Sequence, residues 1–161
     1  MIVILMGVVG AGKTTVGTLL AKELGWQFAD ADDFHPPSSV KKIRDGIALT
    51  DADRVPWLDL LSQSIAEWIA GSKDTVLACS ALKRKYREKL AKGPEVRFVY
   101  LKGSAGLIGE RLHARHGHFA GESILASQVA DLEEPEGAIV VDIRQTPSQI
   151  VDHIRNQLGL G

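Results

Sequence analysis

A single cysteine, Cys79, excludes any disulfide within the chain. No apolar run approaches the roughly 20 residues needed to span a bilayer, so no membrane partner is expected. Neither charge sign is in excess: 19 Lys and Arg stand against 20 Asp and Glu, for a formal net charge of -1. The basic footprint of a nucleic-acid binder is therefore missing. No internal repeat or low-complexity tract interrupts the sequence. The first strand-like run begins at Ile2, directly after Met1, which leaves no space for a targeting segment. One cysteine and no signal peptide together make a cytoplasmic, reducing environment the expectation.

What is present starts at Gly7. Gly7-Val8-Val9-Gly10-Ala11-Gly12-Lys13-Thr14-Thr15 fits G-x-x-x-x-G-K-[ST], the phosphate-binding loop. The apolar run Ile2–Met6 feeds into it and a helical pattern, Thr14–Leu24, leaves it, with Gly25 as the stop. This strand–loop–helix context gives the motif its meaning. Glycines let the backbone curl so that its N–H groups face a polyphosphate, and the helix N-terminus adds positive dipole. Lys13 reaches toward the β- and γ-phosphates, and Thr14 offers its hydroxyl to Mg²⁺. Gly7, Gly10, Ala11, Gly12, Lys13, Thr14 and Thr15 are thus the expected nucleotide-binding residues.

Strand-like and helical patterns then alternate to the end of the chain. Short apolar runs at Trp26–Ala29, Thr75–Cys79, Val96–Leu101 and Ala138–Val141 are separated by helical periodicities. One of these carries Trp57, Leu58, Leu61, Ile65, Trp68 and Ile69, opened by a polar turn over 51–57. Another is basic and spans Leu82–Leu90. A third, Ala105–His116, turns Leu107, Ile108, Leu112 and Ala114 inward. The remaining helices are expected over Ser38–Arg44, Ser123–Leu132 and Pro147–Leu158. Such alternation predicts an α/β fold, a five-stranded parallel sheet with helices on both faces in three layers. No linker is visible, so residues 1–161 form one domain with two excursions, one on the substrate side over 33–57 and a lid over 115–122.

The phosphate loop does not by itself distinguish a switch, a motor and a small-molecule kinase. Asp30-x-Asp32 lies at the carboxyl end of the second strand, where open α/β sheets place ligands. A kinase acting on a hydroxyl needs a carboxylate to orient the attacking oxygen and take its proton, and an acid to hold the water shell of the metal. If the chain has begun to turn there, the two aspartates serve different partners. The third strand ends at Ser80 rather than at an acidic residue, so metal support comes partly from the Asp30 region. Lys83 and Arg87, four apart, are expected on one helical face, either able to hold a substrate carboxylate. Arg84 and Lys85 read as a solvated face. Arg54 either belongs to the cap of the following helix or contacts substrate. Arg111 and Arg115 lie one turn apart at the lid entry, suited to adenine stacking or to clamping a transferring phosphoryl group, with Gly117 and Gly121 as hinges. Gln145 follows the fifth strand at the adenine edge. His113, His116 and His118 lack the Cys or carboxylate spacing of a metal site.

These segments resemble the gluconokinases, small kinases that use ATP to phosphorylate D-gluconate at its 6-hydroxyl. The likeness is carried by Gly7–Thr14, Asp30-Ala31-Asp32, His35-Pro36, the stretch Leu49 to Leu58 with its D-R-x-P-W-L, Cys79-Ser80-Ala81-Leu82-Lys83, Tyr86-Arg87, and Arg111-Leu112 through Arg115-x-Gly117-His118-Phe119, with Ser127-Gln128 beyond. Ser39 and Ala48 stand where that family commonly has Asn and Pro. The resemblance implies the P-loop kinase fold with a mobile lid, shared with shikimate and adenylate kinases. It implies Asp32 as base, Asp30 and Thr14 at the metal, and His35, Arg54, Lys83 and Arg87 as acceptor contacts. Lys13 and Arg115 would act on the transferring phosphate and Arg111 on the nucleotide, with ATP and Mg²⁺ as cofactors. A homodimer is implied by the resemblance alone. Two alternatives remain: a P-loop kinase for another small acceptor, such as shikimate or a nucleotide, and a non-catalytic nucleotide-binding switch. The sequence contains no N-K-x-D guanine-reading motif to favour the switch.

Overall fold

The computed structural model describes residues 1–116 and 122–161. Five parallel strands, β1 (Ile2–Met6), β2 (Gln27–Asp30), β3 (Thr75–Ala78), β4 (Val96–Lys102) and β5 (Ile139–Asp142), lie in the order β2-β3-β1-β4-β5. The register pairs Leu5 with Ala78 on one side of β1 and with Val99 on the other. All five residues of β1 are buried because both of its faces are covered. Strand alternation then sorts the core. Val3 and Leu5 pack with Val16 and Leu20 of α1 (Lys13–Leu24), Ile108 and Leu112 of α5 (Ala105–His116), and Ile150 and Ile154 of α7 (Pro147–Leu158). Ile2, Ile4 and Met6 face the other way. They meet Trp57, Leu61 and Ile65 of α3 (Asp51–Ala70) and Tyr86 and Leu90 of α4 (Arg84–Leu90). Two helical layers thus enclose one sheet. The remaining helices are α2 (Pro37–Arg44) and α6 (Glu122–Asp131).

Three expectations are corrected. The polar stretch 51–57 is not a turn before a helix but the first turns of α3. Thr50 Oγ1 accepts from the Asp53 N–H while Asp53 Oδ2 accepts from the Thr50 N–H, a capping box that starts the helix ahead of Pro56. Pro56 lies inside α3, where its missing N–H removes one backbone bond of the helix. The basic helix begins at Arg84 rather than Leu82. Ala81 sits at φ 46, the left-handed region, and the Leu82 carbonyl accepts the Glu133 N–H, so the chain after β3 is held as a loop with Lys83 as the N-cap. Ala114, expected inward, is exposed; Ile108 and Leu112 carry the apolar face of α5.

Candidate active site

The loop after β1 curls as its glycines allow. Gly10 sits at φ 81, and a Cβ there would lie 2.9 Å from Leu112 Cγ, so side-chain bulk is excluded by conformation and by α5 together. Gly12, at φ 99, is the N-cap of α1 and turns the chain into the helix. Lys13 Nζ donates to the Gly7 and Val8 carbonyls at 3.0 Å each, holding the ammonium across the cradle. Burial lowers the Lys13 pKa, and Asp32, Cys79 and Asp30 oppose that shift in part.

The two aspartates part company where the strand ends. Asp30 is the last residue of β2, and Asp32 lies in a short 3-10 turn, Ala31–Phe34. Asp30 Oδ1 accepts from the Asp32 N–H at 2.9 Å, fixing the turn, and Asp30 Oδ2 lies 3.5 Å from Thr14 Oγ1. One carboxylate therefore faces the hydroxyl at the head of α1. The Asp32 side chain is 85% exposed and its Oδ1 lies 3.9 Å from His35 Nε2. Its pKa is raised by the surrounding protein and then by the Asp30 charge, with His35 and Lys13 pulling the other way. Solvent around so open a carboxylate screens these effects.

His35 ties this turn to the acceptor side. Its ring stacks on Trp57 at 4.5 Å and 13°, and its side chain is only 8% exposed. Trp57 Nε1 donates to the Ala31 carbonyl at 2.7 Å, so α3 braces the turn that carries Asp32. Burial lowers the His35 pKa, opposed by Asp32 and assisted by Arg54, which keeps the imidazole neutral near pH 7. Its Nδ1 is buried and has no hydrogen-bond partner among the described residues.

Beyond His35 lies a cationic group. Arg54 Nη1 donates to the Tyr86 hydroxyl at 3.0 Å, and Lys83 Nζ lies 3.0 Å from Asp51 Oδ1. Arg87, four residues on, is elsewhere. It is 8% exposed, and its guanidinium donates to the carbonyls of Ala81 at 2.7 Å, Leu82 at 3.0 Å and Glu133 at 2.7 Å. Lys83 and Arg87 therefore do not share a helical face, since Lys83 precedes the helix. Arg87→Met would strand these carbonyls, and we expect a loss of about 2–4 kcal/mol, read as a fall in Tm of roughly 5–15 °C. An unchanged melting curve would contradict that structural role.

On the opposite side of the loop, Arg111 Nη2 donates to the Ile143 carbonyl at 2.6 Å and Gln145 Nε2 to the Asp142 carbonyl at 3.1 Å. Both residues thus meet the chain leaving β5. The side chain of Arg115 and the expected hinges Gly117 and Gly121 lie outside the described residues, and so does most of the expected lid. Sequence reasoning missed one support of the cradle. Gln128 Oε1, on α6, accepts from the Val9 N–H at 2.6 Å. Its only sequence signal is its place in the Ser127-Gln128 pair.

A phosphate cradle on the central strand of a parallel sheet, with carboxylates at the end of β2, two strands away, belongs to the P-loop phosphotransferases, and the chain is an enzyme of that class. The shikimate kinase family model matches residues 9–158. A gluconokinase of Gluconobacter oxydans is 44% identical over 94% of this chain and 87% of its own length. The thermoresistant gluconokinase of Escherichia coli is 39% identical over 93% of this chain and 89% of its own length. The crystal structure of a gluconokinase from Sinorhizobium meliloti superposes with a TM-score of 0.88 at 40% identity, covering 98% of this chain and 90% of that one. Shikimate kinase of Aquifex aeolicus shares the fold, with a TM-score of 0.59 at 18% identity over 99% of this chain and 96% of that one. The chain belongs to the gluconokinase family. Among the described residues no helix is long and apolar enough to cross a membrane.

Proposed function

We propose that this chain transfers the γ-phosphoryl group of ATP to the 6-hydroxyl of D-gluconate, giving 6-phosphogluconate and ADP. The observation that carries the reading is the geometry at the carboxyl end of the sheet: Lys13 Nζ spans the cradle at 3.0 Å from the Gly7 and Val8 carbonyls, Asp30 Oδ2 lies 3.5 Å from Thr14 Oγ1, and Asp32 lies 3.9 Å from a His35 ring stacked on Trp57. A triphosphate at the cradle and an anionic polyol at Arg54 and Lys83 would place the acceptor hydroxyl between them, beside Asp32. The family's gluconokinase members supply the identity of the acid.

On this reading Lys13 leaves the Gly7 and Val8 carbonyls for the β- and γ-phosphates. Asp32 orients the attacking oxygen and takes its proton as the new O–P bond forms and the bond to the β-phosphate oxygen breaks. His35, neutral and clamped on Trp57, holds the approach to Asp32. Arg111 and Gln145 flank the nucleotide from the β5 side, and Arg115 completes the charge clamp. Thr14 Oγ1 and Asp30 Oδ2 are hard oxygen donors 3.5 Å apart, which suits Mg²⁺. Among the described residues no group of three or more His, Cys, Asp or Glu is arranged to hold a metal. The ion would accordingly depend on phosphate oxygens and water for its remaining ligands, and would neutralise charge developing on the phosphates. Arg54 and Lys83 are the acceptor contacts we favour over Arg87, whose donors are committed to carbonyls.

The test is a coupled ADP-release assay over gluconate, shikimate and a nucleoside monophosphate, with ATP and GTP as donors. Gluconate with ATP should give the highest kcat/KM. Turnover of shikimate or the nucleotide without turnover of gluconate would refute the assignment.

A further inference from the structure

Asp51 is the centre of the cationic group and has no part in the reading above. Its carboxylate accepts from Lys83 Nζ at 3.0 Å, from Lys85 Nζ at 2.6 Å and from the Tyr86 hydroxyl, while Arg54 Nη1 lies 3.9 Å away. The Tyr86 hydroxyl in turn accepts from Arg54 Nη1 at 3.0 Å. The three cations also stand 5.7 to 5.9 Å from the centroid of the Tyr86 ring. One carboxylate in contact thus serves three full positive charges. Asp131 lies within electrostatic reach of Lys83 without forming an ion pair. The hydrogen bonds from Lys85, Tyr86 and Lys83 hold the Asp51 carboxyl well below the usual aspartate range, so it stays ionised across all working pH values.

An arrangement with more cations than anions in contact is unbalanced for its own sake and balanced for an anionic ligand. Its address on the fold says which one. Arg54 is on the first turn of α3, three residues before Trp57, whose ring stacks on His35 at 4.5 Å, and His35 Nε2 lies 3.9 Å from Asp32 Oδ1. The group therefore borders the acceptor side and not the nucleotide corner at Arg111 and Gln145. Tyr86 is buried to 6% exposure with its hydroxyl turned outward to Arg54 and Asp51, so the ring is a fixed post about which the three cations gather.

We propose that Arg54, Lys83 and Lys85 form a carboxylate subsite for the acceptor, held in register by Asp51 and the Tyr86 hydroxyl. This rests on the gluconate reading and extends it to residues that had no role there. Tyr86 is a positioning residue: it sets the Arg54 guanidinium through its hydroxyl and touches no reacting atom. Lys85, which the sequence pattern assigned to a solvated face, becomes an acceptor contact. Asp51 keeps the cations converged when no ligand is present, so that less ordering is left for the moment of binding.

The decisive measurements are kcat, KM for gluconate, KM for ATP and Tm of the wild type, Tyr86→Phe and Lys85→Met. Phe at 86 keeps the ring and removes only the hydroxyl. Both variants should raise the gluconate KM about five- to tenfold, with a much smaller change in kcat and an unchanged ATP KM. The Lys85→Met shift should shrink as ionic strength rises, because the lost interaction is a screened charge. A gluconate KM unchanged in both variants, or changes in kcat and ATP KM that follow a fall in Tm, would overturn the subsite. Absence of gluconate turnover in the wild type would instead overturn the functional reading, and this inference with it.

Discussion

Asp32→Asn is expected to lower kcat by about 10²–10⁴ while leaving the affinity for ATP near its wild-type value. Asn preserves the size of the side chain and its hydrogen-bonding reach but cannot take the proton of the acceptor hydroxyl. The loss should not come from misfolding. The Asp32 side chain is largely in solvent, and its nearest ionic neighbour, His35, is 3.9 Å away. The turn itself is fixed by Asp30 accepting from the backbone N–H of residue 32, a bond that survives the substitution. Calorimetric binding of a non-hydrolysable ATP analogue and a thermal melt separate these possibilities from a chemical defect. The pH profile adds a second reading. The pKa of Asp32 is raised, so the proton-accepting form is depleted at a higher pH than for an ordinary aspartate as the medium is acidified. Wild-type kcat should fall on the acid side through that pKa, and the limb should vanish in Asp32→Asn. Near-normal turnover in the variant would remove Asp32 from the role of base.

Lys13→Met is expected to be at least as damaging, with kcat/KM down by roughly 10²–10³ or more, but with a different signature. Lys13 bridges the Gly7 and Val8 carbonyls, and on the proposed mechanism it is the cation that follows the γ-phosphate through the reaction. Its removal should weaken nucleotide binding as well as slow the chemistry. The measured pair, kcat together with nucleotide Kd, therefore distinguishes the two variants: Asp32→Asn moves the first, Lys13→Met moves both. A Lys13→Met enzyme with wild-type kcat would place the phosphates elsewhere.

The parallel sheet and its cradle were legible because strong local signals agree. The run at 2–6, the glycines at 10 and 12, and the helical period beyond them all demand one geometry, and the strands appear within a residue or two of where the pattern puts them. The split between Asp30 and Asp32 was legible only as a condition, because the pattern ends the strand at Ala29, ahead of both, whereas β2 runs to Asp30 and Asp32 falls in the turn beyond it. What the pattern hid was set by contacts distant in sequence. Arg87 reads as a candidate acceptor contact, and only the fold reveals the Glu133 carbonyl that it reaches. Lys85 reads as solvated until Asp51, on another helix, is brought to it. The start of α3 was obscured by a proline whose usual meaning the Thr50 capping box overrides. Gln128 carries no local sign that its amide will meet the phosphate loop.

Basic residues that stand almost side by side along this chain answer to two different masters. Arg87 is a rivet: it sews the exit of β3 to the segment after α6, and any attempt to recruit it would loosen the scaffold. Lys85, two positions earlier, is anchored to one neighbouring carboxylate and otherwise open. On the subsite proposal, retargeting the enzyme toward an acceptor of another charge proceeds by editing the second kind while sparing the first, because each change at Arg87 carries the stability loss expected for Arg87→Met.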